Sequence, residues 1–245
     1  LTALLGSPVA HSISPLMHNE SFRLLGLDYV YLCFDVNEET LPAAVAGLKT
    51  CGIRGFNLTM PNKNKIVELL DELSPEAQLI GAVNTVLNDN GKLIGYNTDG
   101  YGFMQSVRDA GHDITGKNIT VMGVGGASMA ICAQSALDGA ASVHIFARRT
   151  SRYWNRTQKF AENLSAKTGC QVCLFDNDDH TALRDSIAQS YLLINATSVG
   201  MVPDIDDTII KDTSLFHPEL VVADVVYEPQ ETRLAQRKAK SSALA

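Results

Sequence analysis

The feature that most constrains the fold is a buried strand that runs through a glycine-rich turn into an apolar helix. The strand Asn118–Met122 is followed by Gly123-Val124-Gly125-Gly126-Ala127-Ser128. Glycines let backbone amides approach a diphosphate closely, and the N-terminus of the next helix supplies unpaired N–H groups. Ser128 stands where the usual pattern has its third glycine, so a plain structural turn is the alternative interpretation. We predict a dinucleotide site formed by Gly123, Gly125, Gly126, Ala127 and Ser128.

Strand and helix signals alternate along both halves of the chain, which is typical of β-α-β units and a parallel sheet. The sequence pattern changes after Asp99-Gly100, which indicates a domain boundary there. The sequence therefore predicts a two-domain α/β protein, with one α/β domain over residues 1–100 and a Rossmann-like, doubly wound domain over residues 101–233. Between them, Val83–Leu87 and Lys92–Tyr96 flank Asn88-Asp89-Asn90-Gly91, a strong hairpin signal.

Arginines follow the second strand of the predicted nucleotide domain. That strand ends at Phe146-Ala147, where a dinucleotide fold usually carries an acid that binds the ribose 2′-hydroxyl. Here Arg148 and Arg149 come next, with Arg152 one turn further on. Because guanidinium groups suit a phosphate monoester, this segment favours NADP over NAD. The alternative is that the arginines only cover the end of the strand and face water.

Composition excludes several classes of function. Among 245 residues, 20 Lys+Arg against 27 Asp+Glu give a net charge of −7, which argues against binding of nucleic acid. No apolar run approaches the roughly 18 residues of a membrane span, and no secretory leader is evident. Five cysteines are sparse for a secreted scaffold, so we expect a reducing, cytoplasmic setting. Cys170 and Cys173 have metal-pair spacing but lack a second pair, so no metal site is expected.

Small polar groups concentrate in four short motifs of the first domain. Ser12 and Ser14 precede a predicted helix, and a predicted strand alternates Asn57 and Thr59 onto one face. We predict a helix over Lys63–Leu73, which places the Lys63 cation at a helix start, against the dipole, as a functional residue would be. The hairpin strands are bracketed by Asn84 and Asp99, which we expect to lie close together. Hydroxyls, amides and one ammonium–carboxylate pair fit a polyol ligand.

These motifs resemble the shikimate dehydrogenase family, including its quinate/shikimate dehydrogenase branch. The resemblance covers nearly the whole chain. In the first domain it rests on Ser12-Ile13-Ser14-Pro15, Asn57-Leu58-Thr59-Met60-Pro61-Asn62-Lys63, Gly81-Ala82-Val83-Asn84-Thr85 and Asn97-Thr98-Asp99-Gly100. In the second it rests on the glycine turn, Asn195-Ala196-Thr197-Ser198-Val199-Gly200-Met201 and Asp224-Val225-Val226-Tyr227-Glu228-Pro229.

The resemblance implies reversible oxidation of shikimate to 3-dehydroshikimate with a nicotinamide cofactor. It implies that Ser12, Ser14 and Tyr227 bind the substrate carboxylate. It also implies that the ring hydroxyls are bound by the residues that match the family's other substrate contacts, which are Thr59, Lys63, Asn84 and Asp99. Residues along the cofactor match Asn195, Thr197, Ser198 and Met201. We predict Lys63 as the proton-transfer group, with Asp99 as its catalytic partner.

Alternatives to this reading stay open at the level of sequence. The double arginine Arg148-Arg149 resembles the quinate/shikimate branch, so quinate as main substrate with NAD as an acceptable cofactor is the second hypothesis. Thr150, however, stands where that branch carries the acid that selects NAD, which argues against a preference for NAD. A non-catalytic sensor of the cyclitol or nucleotide forms a third, against which the Lys63 and Asp99 pair argues. The family continues beyond the position of Ala245 into a helix with a substrate-contacting Gln, and residues 234–245 are predicted to begin the return to the first domain. Assembly as a homodimer is a further expectation.

Overall fold

A computed structural model describes residues 1–243 of the chain. The chain forms two compact units, Leu1–Thr98 and a second that begins at Asp99. Each unit is built on its own sheet with helices packed beside it. The predicted two-domain α/β fold class is confirmed. Within the described residues, no helix is both long enough and apolar enough to cross a membrane.

The first unit has a six-stranded mixed sheet in the order β2-β1-β3-β5-β6-β4. Its strands are β1 (Thr2–Gly6), β2 (Tyr31–Asp35), β3 (Gly55–Leu58), β4 (Glu72–Leu73), β5 (Thr85–Asp89) and β6 (Lys92–Tyr96). Its helices are α1 (Ser14–Leu24), α2 (Leu41–Thr50) and α3 (Pro75–Ile80), with a 3₁₀ helix over Lys65–Leu69. Strand β1 pairs in parallel with β2 and β3, while β3, β5 and β6 pair antiparallel.

The hairpin between β5 and β6 forms as the sequence predicts. Asn90 and Gly91 occupy its turn with φ angles of 52° and 92°. Asparagine and glycine tolerate this left-handed conformation, which matches the twist of the flanking strands. The register places Thr85 opposite Tyr96 on one side and opposite Asn57 on the other. Polar residues of three neighbouring strands therefore lie side by side.

The second unit has a five-stranded, entirely parallel sheet in the order β11-β10-β7-β8-β9. Its strands are β7 (Asn118–Met122), β8 (Ser142–Ala147), β9 (Gln171–Asp176), β10 (Leu192–Asn195) and β11 (Val221–Asp224). Its helices are α4 (Asp99–Asp109), α5 (Gly126–Leu137), α6 (Trp154–Thr168), α7 (His180–Gln189) and α8 (Arg233–Ala243), with a 3₁₀ helix over Thr213–Leu215. The strand order reverses between β7 and β10, the point at which such sheets bind ligands.

Three local predictions differ from the structure. The helix predicted over Lys63–Leu73 is only a 3₁₀ helix over Lys65–Leu69, so Lys63 lies in the preceding turn and the argument from the helix dipole is wrong. Helix α3 was not expected. Residues 234–245, predicted to return to the first domain, form α8 up to residue 243, and α8 packs against β11 with Leu234 buried in the core of the second unit. Positions 244 and 245 lie outside the described residues.

Candidate functional site

A cavity of about 650 Å³ opens at the carboxyl ends of the strands in the second unit. Three loops that follow β7, β8 and β10 form most of its wall. The lining residues are Gly123, Val124, Gly125, Ala147, Arg148, Thr150, Ser151, Arg152, Tyr153, Asn177, Ala196, Thr197 and Ser198. The size and the position at the reversal of strand order suit a dinucleotide.

The glycine turn leaves backbone exposed to this cavity. Gly123 has a φ of +112°, and a Cβ there would lie 2.8 Å from the carbonyl oxygen of Ala196. The Ser128 hydroxyl donates to the carbonyl oxygen of Gly123 at 2.6 Å and holds the turn against the first turn of α5. Gly125 precedes α5 without a side chain to cap its amides. This turn therefore fits the diphosphate of a dinucleotide, which needs N–H donors at a helix N-terminus.

The three arginines after β8 have different surroundings. Arg148 and Arg152 line the cavity. The guanidinium of Arg149 instead stacks 4.8 Å from the ring centroid of Trp154, and Arg149 is not among the lining residues. Arg152 is held by Tyr153, whose hydroxyl oxygen accepts from its Nη2 at 2.6 Å. The Arg152 guanidinium also lies 4.7 Å from the centroid of the Tyr153 ring. Arg148 and Arg152 thus belong to the cavity wall, where a guanidinium suits a phosphate on the ribose, and Arg149 packs against Trp154.

Asn195 shapes the loop after β10 without facing the cavity itself. Its Nδ2 donates to the carbonyl oxygen of Val199 at 3.1 Å and to Asp224 Oδ1 at 3.0 Å. Its Oδ1 accepts from the amide and the hydroxyl of Thr197. Thr197 and Ser198 line the cavity as a result. Met201, which the sequence grouped with them, lies 44% exposed beyond the loop.

Asn177 is a cavity residue that the sequence reasoning missed. It follows β9, and its amide donates to the carbonyl oxygen of Ala147, directly before Arg148. Its Oδ1 is buried and has no hydrogen-bond partner among the described residues. The signal available in the sequence was its place after the third strand of the β-α-β series, where the chain passes close to the ribose end of a bound dinucleotide.

In the first unit, the predicted substrate residues follow the ends of β1 and β3. The Ser12 hydroxyl accepts from the Ser14 amide at 3.2 Å, directly before α1, whose N-cap residue is Ile13. The amide of Thr59 donates to the carbonyl oxygen of Leu5 at 3.0 Å, which fixes Thr59 beside the end of β1. The carbonyl oxygen of Lys63 accepts from the Val83 amide at 2.7 Å. The turn after β3 is thereby tied to the segment that leads to Asn84.

Asn84 is buried, 8% exposed, at the start of β5. Its Oδ1 accepts from the Thr98 amide at 3.0 Å, which ties the residue before β5 to the segment after β6. Asp99, the next residue, opens helix α4, where the helix dipole favours a carboxylate. Tyr227 follows β11 in the second unit and is 83% exposed. Asn84 is therefore held in place by the hairpin, and Asp99 by the start of a helix.

The cysteines have the properties of structural thiols. Burial raises the pKa of Cys132 to about 12 and that of Cys170 to about 11, so both stay protonated at neutral pH. In the part of the chain that the structure describes, no group of three or more His, Cys, Asp or Glu side chains is placed to hold a metal ion. The chemistry of the site rests on hydroxyl, amide, ammonium, guanidinium and carboxylate groups.

Comparison with known proteins identifies close relatives. The family model described as "Shikimate dehydrogenase substrate binding domain" matches residues 4–86. The shikimate dehydrogenase (NADP(+)) of Listeria innocua is 49% identical over 236 residues, which cover 96% of this chain and 81% of that relative. A crystal structure of the Listeria monocytogenes shikimate 5-dehydrogenase with shikimate and NAD matches at a TM-score of 0.96 and 47% identity, over 98% of this chain and 83% of the other. The quinate dehydrogenase of Corynebacterium glutamicum, in complex with NAD, matches at a TM-score of 0.85 and 28% identity, over 98% and 85% of the two chains.

Proposed function

The chain belongs to the shikimate dehydrogenase family, and we propose which of its own residues carry out the reaction. In that reaction, shikimate is oxidised reversibly to 3-dehydroshikimate with NADP. Residues 1–100 form the substrate-binding domain and residues 101–233 the dinucleotide-binding domain. The observation that carries the proposal is the 650 Å³ cavity, because it joins an open glycine turn to two arginine side chains. Such a wall suits a dinucleotide with a phosphate on its ribose.

The cofactor site takes the diphosphate at the amides of Gly125, Gly126 and Ala127, and Ser128 holds the turn through Gly123. Arg148 and Arg152 would bind the 2′-phosphate, and Thr197 and Ser198 of the same cavity would lie along the cofactor. Asn195 positions the loop that carries Thr197, and Met201 follows in the same loop. Arg149 contributes to the local positive charge and packs on Trp154.

The substrate contacts follow from hydrogen-bonding chemistry. Ser12 and Ser14 hydroxyls donate to the carboxylate of shikimate, together with the hydroxyl of Tyr227. Thr59 and Asn84 bind ring hydroxyls, because each carries a donor and an acceptor. Lys63 and Asp99 bind the hydroxyl that reacts. Four polar contacts to the ring give the site a preference for a polyol over an apolar ligand of the same shape.

The reaction removes a proton from a hydroxyl while its carbon loses a hydride. A bound nicotinamide ring supplies the hydride acceptor. The Lys63 amine takes the hydroxyl proton in the oxidation and returns it in the reduction, as a general base and general acid do. The Asp99 carboxylate accepts a hydrogen bond and keeps the ammonium and the hydroxyl in place. Asn84 holds the ring so that the reacting hydroxyl stays beside Lys63.

The test replaces Lys63 with Ala and with Arg and measures kcat together with NADP affinity. We expect kcat to fall by about 10²-fold or more in Lys63→Ala, since general acid–base catalysis contributes about 10²–10⁴-fold. Lys63→Arg keeps the positive charge but offers no amine that can exchange the proton, so we expect it to stay impaired. NADP affinity, measured by calorimetry, should be unchanged in both. An unchanged kcat in Lys63→Ala would remove Lys63 from the mechanism.

Quinate with NAD is the second candidate, favoured by the structural similarity to a quinate dehydrogenase in complex with NAD. Against it, Thr150 in the cavity wall offers no acid that would select NAD. Absorbance at 340 nm with shikimate or quinate, each with NADP or NAD, separates the two. We expect the highest kcat/KM with shikimate and NADP. A higher kcat/KM with quinate would reverse the assignment, and no turnover with any pair would favour a sensor.

The enzyme works in the cytoplasm and as a homodimer. All five cysteines are free thiols, which suits a reducing compartment. Strand β2 lies at the edge of its sheet. The Asn19 side chain pairs with the backbone of Tyr31, and the next residue, Leu32, exposes an apolar side chain that a second copy could cover. Light scattering after size-exclusion chromatography tests the dimer, and we expect Leu32→Lys, on this edge, to yield monomers. A wild-type mass of one chain would refute it.

A further inference from the structure

A chain of hydrogen bonds in the first unit begins at a buried tyrosine. Tyr31 is 2% exposed at the start of β2, and its hydroxyl donates to Asn57 Oδ1 at 2.8 Å. Its backbone exchanges two hydrogen bonds with the Asn19 side chain, and the His18 ring stacks on it with centroids 4.3 Å apart. The tyrosine ring is thus fixed from two sides, and its hydroxyl has a defined direction.

The chain continues from Asn57 to Asn84. Asn57 Nδ2 donates to Thr85 Oγ1 at 2.9 Å and to the carbonyl oxygen of Asn84 at 3.2 Å. The Thr85 hydroxyl then donates to Asn84 Oδ1 at 2.9 Å, where the Thr98 amide also donates. Four side chains from strands β2, β3 and β5 are therefore linked in one series, which we call the Tyr31 relay: Tyr31, Asn57, Thr85 and Asn84.

The relay has one direction. A carboxamide oxygen only accepts and a carboxamide nitrogen only donates, so Tyr31 must donate to Asn57 and Asn57 must donate to Thr85. The Thr85 hydroxyl lies 2.9 Å from Asn84 Oδ1 and 3.5 Å from Thr98 Oγ1, so the shorter contact directs its single proton to Asn84. Burial raises the pKa of Tyr31 well above its ordinary value, so the first donor keeps its proton throughout the working pH range.

We infer that Tyr31 is a positioning residue for substrate binding, which it supports by fixing, through Asn57 and Thr85, the orientation of the Asn84 carboxamide. Asn84 Oδ1 accepts from the Thr85 hydroxyl and the Thr98 amide, and Asn84 Nδ2 donates to Thr98 Oγ1 at 3.1 Å, so both ends of this carboxamide have a defined direction. The inference rests on the proposed role of Asn84 in binding shikimate. Tyr31 itself acts only through its neighbours.

Removing the first donor loosens the whole series. In Tyr31→Phe the ring still stacks on His18, but Asn57 Oδ1 loses its donor, and the Asn57 carboxamide no longer has one preferred orientation. One hydrogen bond contributes about 0.5–1.5 kcal/mol net, so we expect the KM for shikimate to rise about 3- to 10-fold. The KM for NADP should stay the same, and kcat should change little, because Asn84 binds the substrate before and during the reaction alike.

The experiment measures kcat and both KM values by absorbance at 340 nm in Tyr31→Phe, with Tyr29→Phe as the matched control. Tyr29 lies in the same unit, and its ring packs on Phe22, while its hydroxyl makes no hydrogen bond within residues 1–243. Thr85→Val breaks the relay at its second step with little change of shape, and Thr85→Ser restores the hydroxyl. We expect Thr85→Val to resemble Tyr31→Phe, and Thr85→Ser to resemble the wild type.

The double variant Tyr31→Phe/Thr85→Val distinguishes a relay from two separate structural effects. Members of one series are not additive, so the double variant should be no worse than the more impaired single variant. Additive losses, or a rise in both KM values together, would overturn the inference.

Asn84→Ala separates this inference from the function it rests on. A raised KM for shikimate in Asn84→Ala with an unchanged KM in Tyr31→Phe would overturn the relay alone. An unchanged KM in Asn84→Ala would overturn the substrate-binding role of Asn84 and the relay with it.

Discussion

Substitution of single arginines after β8 should distinguish an arginine that binds the 2′-phosphate of NADP from an arginine that only packs on an aromatic ring. Arg148 lines the nucleotide cavity, whereas the Arg149 guanidinium stacks on the ring of Trp154. The two residues are adjacent and carry the same charge, so each is the control for the other. We predict that Arg148→Ala weakens binding of NADP and that Arg149→Ala leaves it nearly unchanged.

The magnitude follows from the contacts that each side chain can make. A hydrogen bond to a charged group contributes about 1.5–3 kcal/mol, which corresponds to about a 10- to 150-fold rise in the Kd for NADP in Arg148→Ala. Since Arg148 is exposed to solvent, we expect the lower part of that range. Arg149→Ala loses a cation–π contact worth about 0.5–1 kcal/mol, which should lower the melting temperature by about 1–4 °C.

Calorimetric titration with NADP and with NAD measures both effects on binding, and thermal unfolding measures the effect on stability. NAD has no 2′-phosphate, so its Kd should be the same in the wild type and in Arg148→Ala. Arg148→Lys should recover part of the NADP affinity, because it keeps the charge without the planar fork. Equal losses of NADP affinity in Arg148→Ala and Arg149→Ala, or a matching loss of NAD affinity, would refute the reasoning.

Three further predictions concern two glycines that support the site and one half-buried histidine. Gly123→Ala places a Cβ 2.8 Å from the carbonyl oxygen of Ala196 at a φ of +112°, and should lower stability by about 2–4 kcal/mol in thermal unfolding, whereas Gly125→Ala, with open space around it, should not. Gly6→Ala overlaps the Thr59 methyl group and lies 3.0 Å from the carbonyl oxygen of Met60, so the KM for shikimate should rise while the Kd for NADP stays constant. Burial lowers the pKa of His144, whose Nδ1 lies 2.6 Å from the Ser186 hydroxyl, so the unfolded chain binds the proton more readily. The contribution of neutral His144 to the free energy of unfolding is therefore fully present above a pH of about 6.5 and is lost as the pH falls through the lowered pKa. His144→Asn should flatten this pH dependence in melting curves between pH 7.5 and 5.

Local chemistry determined the features that the sequence predicted well. The conformation of Gly123 and the turn at Asn90-Gly91 depend on residues that tolerate positive φ, and the Asn118–Met122 strand is recognisable from its own residues and the turn that follows. The bounds of β6 and β7 agree with the prediction to the residue. In each case the deciding interactions lie within a few positions along the chain, so the sequence around the position is sufficient.

Local signals failed where two alternatives have similar propensity. The segment after Lys63 contains good helix formers, yet it makes only a 3₁₀ helix before β4 pairs with β6. The Lys63 carbonyl oxygen instead accepts from Val83, twenty positions away in the chain. Tertiary pairing therefore overrode the helix propensity of this segment.

What only the tertiary structure decided is which side chains meet. The sequence placed three arginines together, and in the structure Arg148 and Arg152 line the nucleotide cavity while Arg149 stacks on Trp154. The sequence analysis assigned no role to Asn57 or Thr85 and did not single out Tyr31. Their hydrogen bonds join positions 26 and 28 residues apart in the chain. Such contacts depend on strand order and register, which no local pattern of residues specifies. The sequence determined the kinds of chemical groups at this site, and the sheet determined which of them act on one another.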